Sequence, residues 1–142
     1  LFTLSIGVDV GTEENDKLSL AAALMDVAGT ASLSNEELQK EWYRLGSSFN
    51  FGAGENASGF SLSGLDEQFE ASLELMMSAI KQPTTDDETL EQLKSILIKS
   101  RQELKSSPPA IANALNLYNR YGEESPMLES LTTDEIRATQ LD

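Results

Sequence analysis

The side chains able to do chemistry in this sequence are carboxylates. Adjacent acids recur at Glu13–Glu14, Glu36–Glu37, Asp86–Asp87 and Glu123–Glu124. Two acids side by side can trade a proton as general acid and base, or share a cation. Their settings argue for something plainer. Most lie in turns or first helical turns, where the helix dipole favours negative charge. None opens the D-x-D-x-D-G spacing of a calcium loop. An enzyme working through carboxylates alone, such as a glycosidase, needs two acids facing each other across a cleft, and no spacing here requires that.

The sequence contains no histidine and no cysteine. Ser-His and Cys-His nucleophiles are therefore excluded within the chain. So are the commonest metal ligands and any disulfide framework. Gly7 and Gly52-Ala53-Gly54 do not lead into the Gly-Lys of a phosphate loop. Ser63 sits in Ser-Leu-Ser-Gly, not in a nucleophile elbow. Arg120–Tyr121 offers a grip for a carboxylate, but reads first as a helix-end tyrosine in a core beside an arginine at the negative end of the dipole. Asn56-Ala57-Ser58 matches a glycosylation acceptor and reads as a turn. Met76 and Met77 read as core filler. From these residues alone no catalytic, cofactor-binding or metal site is expected.

The chain has 142 residues, with 24 acidic and 10 basic side chains and a net charge of −14. That length suits one domain over residues 1–142 with a real core. The charge repels nucleic acid and anionic membrane surfaces, and no apolar run is long enough to span a bilayer. An acidic wall would favour basic peptides. No signal peptide is visible, and the first residue, Leu1, already lies in a strand-like pattern, so the chain reads as a piece of a longer protein.

The elements that must position these side chains follow from periodicity. Leu1 to Val10 alternates, with Phe2, Leu4, Ile6, Val8 and Val10 toward a core. Leu18 to Ala28 reads as a helix rich in small residues, with Asn15 or Asp16 as cap and Gly29 as stop. Ser34 with Glu37 forms a capping box for a helix carrying Leu38, Trp42 and Leu45 and ending at Gly46. Phe49 to Glu55 and Phe60 to Leu65 form a hairpin. Phe69, Leu73, Met76 and Ile80 mark the next helix, stopped by Pro83. Thr85 with Glu88 reads as another box, followed by Leu90, Leu93, Leu97, Arg101 and Leu104. Pro108–Pro109 interrupts. A helix from Ala110 places Ile111, Leu115 and Tyr118 in register, and Thr132 with Glu135 opens a last one. Strand, helices, hairpin and further helices make an α+β layer: an antiparallel or mixed sheet with helices on one face.

This order resembles one half-repeat of the M16 zinc peptidases, the insulinase, pitrilysin and mitochondrial processing peptidase group, with its LuxS/MPP-like fold. The matching pieces are the strand and glycine turn from Leu1 to Gly11 and the helix ending in Gly29-Thr30. Leu33 to Leu38, Leu45-Gly46 and the helix from Phe69 to Pro83 follow. The long helix running to Pro108 and Tyr121-Gly122-Glu123-Glu124-Ser125-Pro126 complete the set. Active members carry His-x-x-Glu-His on the first helix, two histidines for zinc and a glutamate to activate water. Aligned on Gly29-Thr30, those positions hold Leu20, Ala23 and Leu24, and a shift of one or two residues adds only Asp26. The third ligand, a glutamate on the long helix, falls near Ser100, about a turn from Glu103. The resemblance thus implies the first subdomain of a non-catalytic half. Such a half would enclose peptide together with a separate zinc-bearing half, in the same chain or another subunit. It implies zinc in that partner, none here, and an unfolded peptide as substrate. The alternative is a structural or interaction module in a larger assembly.

Overall fold

The structure, a computed structural model, describes residues 1–125, 128 and 131–141. Two compact units divide the chain, Leu1–Asp86 and Asp87–Asp142.

In the first unit, the alternating N-terminal stretch forms β1 (Phe2–Val8) and the small-residue stretch forms α1 (Leu18–Met25). β2 (Gly29–Thr30) leads into α2 (Asn35–Leu45). The hairpin is β3 (Ser48–Ala53) and β4 (Ser58–Gly64). A short 3-10 turn then enters α3 (Phe69–Lys81), and β5 (Pro83–Thr84) closes the unit. Among the described residues the main sheet is antiparallel, with order β1-β4-β3. The two-residue strands β2 and β5 pair separately, Gly29 with Thr84 and Thr30 with Pro83.

The helices cover one face of that sheet. Leu38 and Trp42 from α2, Leu62 from β4, and Met76 and Ala79 from α3 form the buried core. Aromatic rings tie it together: Trp42 stacks on Phe49 at 5.7 Å, and Phe60 stacks on both Phe49 and Phe51. Each such pair adds about 0.5–1.5 kcal/mol beyond its burial. The opposite face carries Thr3, Ser5, Asn50 and Ser61, all exposed.

Local chemistry sets the boundaries. Ser34 and Glu37 make the full capping box, and Gly46 ends α2 at φ 59°, a left-handed geometry that costs a side-chain-bearing residue and not glycine. Several expectations are corrected. α1 stops at Met25, because Val27 N–H and Ala28 N–H both turn back to the Leu24 carbonyl and tighten the last turn. Asn15 Oδ1 accepts the Lys17 N–H at 3.1 Å just before α1, while Lys17 itself, at the N-cap position, makes no side-chain cap. Gly29 is not a helix stop but a close approach, since a Cβ there would lie 2.4 Å from the Leu33 carbonyl oxygen. Ile6, Val8 and Val10 are exposed although the alternation turns them inward. β1 is an edge strand, and only its Phe2 end meets α3, where Phe2 packs edge-on against Phe69 at 4.9 Å. Met77, one position round from buried Met76, is exposed as well. Thr85 does not form a box with Glu88, and its buried Oγ1 has no hydrogen-bond partner among the described residues.

The second unit is helical: α4 (Asp87–Leu104), α5 (Pro108–Tyr121), a 3-10 turn at Gly122–Glu124, and α6 (Thr133–Ala138). Pro108 and Pro109 do not merely interrupt. They occupy the first turn of α5, where a missing N–H costs nothing. α6 starts with the expected Thr132–Glu135 box. Lys94 is 4% exposed. Its Nζ donates to Glu91 Oε1 at 2.6 Å and to the Arg137 carbonyl at 3.2 Å, which binds α4 to α6 and offsets the cost of burying a cation. Arg101 Nη1 donates to the Leu131 carbonyl. Ile111, Leu115, Tyr118 and Tyr121 on α5 are exposed, so the apolar face expected to be core is uncovered. Ile96 and Leu104 on α4 are exposed too.

Candidate functional site

α1 stands where the resemblance places a metal-bearing helix, and its side chains offer packing atoms. Leu20 is 5% exposed, while Ala23 and Leu24 are half-buried. None carries a donor atom for zinc. Asp26, the one acid nearby, caps the C-terminal end of α1 and points no ion pair at a described residue. Ser100 and Glu103 lie exposed on α4, with Glu103 4.0 Å from Lys99 one turn before it. Among the described residues, no three of His, Cys, Asp and Glu come together as a metal site would require.

The paired acids take structural work. Glu14 accepts the Gly11 N–H at 2.8 Å. Glu36 pairs with Lys40 at 2.6 Å, and the Lys40 ammonium lowers its pKa. Glu37 accepts the Ser34 N–H and hydroxyl, and these bonds lower its pKa as well. Glu135 is lowered in the same way by Thr132. Asp87 opens α4, and Glu123 and Glu124 lie in the 3-10 turn after α5.

The remaining candidates fall out on geometry. Gly7 and Gly52 lie within strands. Ser63 is a strand residue paired across to Thr3 and Ser48. Ser58 of the acceptor-like triplet is buried, and its hydroxyl donates to the Val10 carbonyl at 2.8 Å. The Arg120 guanidinium lies 6.0 Å from the Tyr121 ring, and Tyr121 is exposed where a core tyrosine was expected. Pro126 of the aromatic-Gly motif lies outside the described residues.

Periodicity missed a small cavity at the C-terminal end of α1. Its volume is about 30 Å³, and Met25, Asp26, Gln39, Trp42, Phe49 and Phe51 are among its lining residues. The signal was present as Trp42, Phe49 and Phe51 flanking the Gly46 turn. Their convergence on Asp26 needed the fold, because α1 and β3 are adjacent only in space.

No model of a known protein family and no curated protein matches the sequence. Solved structures match its fold. One is a peptidase M16 inactive domain from Pseudomonas fluorescens, with a TM-score of 0.79 and 21% identity over 98% of this chain and 35% of that one. A protease from Helicobacter pylori gives a TM-score of 0.75 and 15% identity over 98% of this chain and 35% of its own. The ferredoxin protease FusC, solved in complex with Arabidopsis ferredoxin, gives a TM-score of 0.75 and 15% identity over 97% of this chain and 16% of its own. The fold is that of M16 inactive peptidase domains, and the chain spans 35% of the length of the first two structures it matches.

Proposed function

We propose that this chain is part of the non-catalytic half of an M16-like zinc metalloendopeptidase, and that it walls a peptide-enclosing chamber completed by a separate zinc-bearing half. The observation that carries the reading is the first helix. The resemblance puts α1 in the place of the metal helix, and there Leu20, Ala23 and Leu24 give it an apolar packing face. Likeness to an inactive domain over 98% of the chain supports the same reading.

Its partners are then the zinc-bearing half and an unfolded peptide. The FusC structure, solved with a bound protein, supports a polypeptide as the guest. Zinc belongs to the partner, where it would activate water. The chain's own contribution is enclosure and positioning. The test is chemical crosslinking of the chain to an unfolded peptide in the presence of the zinc-bearing half of its parent protein. Crosslinks from α1 or the sheet to the peptide support the reading. Tight association with other subunits, with no peptide captured, favours a structural module instead.

A further inference from the structure

The cavity at the end of α1 is lined chiefly from three elements, with Gly29 of β2 and Ala79 of α3 at its edges. Met25 and Asp26 come from the end of α1, Gln39 and Trp42 from α2, and Phe49 and Phe51 from β3. Its wall is mostly apolar, the aromatic rings and Met25 being joined by Leu38, Ala28 and Ala79. Asp26 is exposed and makes no ion pair with a described residue. The nearby cations of α2 are engaged elsewhere, Lys40 with Glu36 and Arg44 with Glu41. α1 has no basic residue in its last turn, so nothing on the helix itself offsets the negative end of its dipole.

We infer that this cavity is a socket for one lysine side chain of an extended peptide, with its terminal methylenes against Trp42, Phe49 and Phe51 and its ammonium on Asp26. Lysine fits the observed chemistry in three ways. An apolar stem with a charged tip matches apolar walls beside an exposed carboxylate. The same cavity is lined by the Trp42 indole, an aromatic neighbour that suits a cation beside Asp26. The size suits the end of a side chain: a water-sized group needs roughly 10–15 Å³, so a cavity of about 30 Å³ takes about two small groups. The chain's charge of −14 draws such a peptide in. The inference deepens the peptide-chamber reading and rests on it, naming one side chain the wall selects.

Trp42 is the only tryptophan, so it reports on its own cavity. The experiment titrates the chain with Ac-Ala-Ala-Lys-Ala-Ala-amide, and with the same peptide carrying norleucine. Trp42 fluorescence and the Trp42 indole N–H resonance are followed at low salt. The lysine peptide is expected to shift both signals saturably and to bind about fivefold tighter than norleucine, the range of an exposed ion pair. Asp26→Asn should bring the ratio near one, and added salt should do the same. Equal affinities for the two peptides, or a ratio unchanged in Asp26→Asn, overturns the inference. Peptide-induced shifts elsewhere on the chain with none at Trp42 also overturn it and leave the chamber reading standing. No shift anywhere overturns the inference as well, and the chamber reading then stands or falls on the crosslinking test with the zinc-bearing half.

Discussion

The Oγ atoms of Ser47 and Ser72 lie 2.6 Å apart, and Ser72 is fully buried while Ser47 is half-buried. This hydroxyl pair joins the segment just after α2 to the first turn of α3. The pair is asymmetric, and so are its predicted defects. Ser47→Ala strands the buried Ser72 hydroxyl and should cost about 1–3 kcal/mol. Ser72→Ala leaves Ser47 able to turn to water and should cost nearer 0.5–1.5 kcal/mol. Urea unfolding of both single variants and the double variant measures the difference. Equal costs would show that the hydroxyls do not depend on each other.

Gly46 holds the αL position that ends α2, and a Cβ there would meet Leu65 Cδ1 at 3.2 Å. Gly46→Ala should destabilise the protein by about 1 kcal/mol, and Gly46→Asn by less, since asparagine tolerates that conformation. Thermal unfolding of the two variants side by side checks the order.

The two capping boxes predict a pH dependence. Glu37 and Glu135 have pKa values lowered by hydrogen bonds from Ser34 and Thr132. A carboxylate lowered in the folded state contributes stability that is present above its unfolded pKa and lost as pH falls through the folded one. Acidification below the ordinary carboxylate range should therefore remove that contribution. The wild-type protein also sheds like-charge repulsion as it acidifies, so the informative quantity is the difference from Ser34→Ala or Thr132→Ala. Near neutral pH each alanine variant should be less stable by about 1 kcal/mol. The gap should narrow in acid without closing, because the Ser34 and Thr132 hydroxyls also accept the backbone N–H of Glu37 and Glu135, bonds that do not titrate; urea midpoints measured across that range would show it. A gap independent of pH would contradict it.

Leu20 is the hinge between packing and metal chemistry. It is buried, so Leu20→Ala should cost about 2–5 kcal/mol. Restoring the family motif with Leu20→His, Ala23→Glu and Leu24→His should not yield stoichiometric tight zinc. The variant puts polar groups on a packing face and still lacks an acid near Ser100. Isothermal titration with zinc and far-UV melting of the triple variant test both halves of that statement.

Much of the fold was legible because its signals are local. Ser34 with Glu37 and Thr132 with Glu135 each specify a boundary within a few residues and formed in place, whereas the turn expected at Asn56 to Gly59 lies at Gly54 to Ala57, with Ser58 and Gly59 already in β4. What failed depends on neighbours. Alternation shows that Ile6 and Val8 share a face with Phe2, not that a helix reaches them. The 3.6-residue pattern of Ile111, Leu115 and Tyr118 shows an amphipathic helix, not that its apolar side is covered. Thr85 has the right spacing for a cap and the wrong surroundings. Nothing local marks Lys94 for burial, and only the approach of α6 gives it the Arg137 carbonyl that permits it.

The most direct test combines metal analysis with a cleavage assay on the chain alone and mixed with the zinc-bearing half of its parent protein. The account predicts no stoichiometric zinc and no peptide cleavage by the chain alone, and at least a tenfold gain in peptide hydrolysis when it joins the zinc-bearing half. One tightly bound zinc per chain, or metal-dependent cleavage by the chain alone, would contradict it.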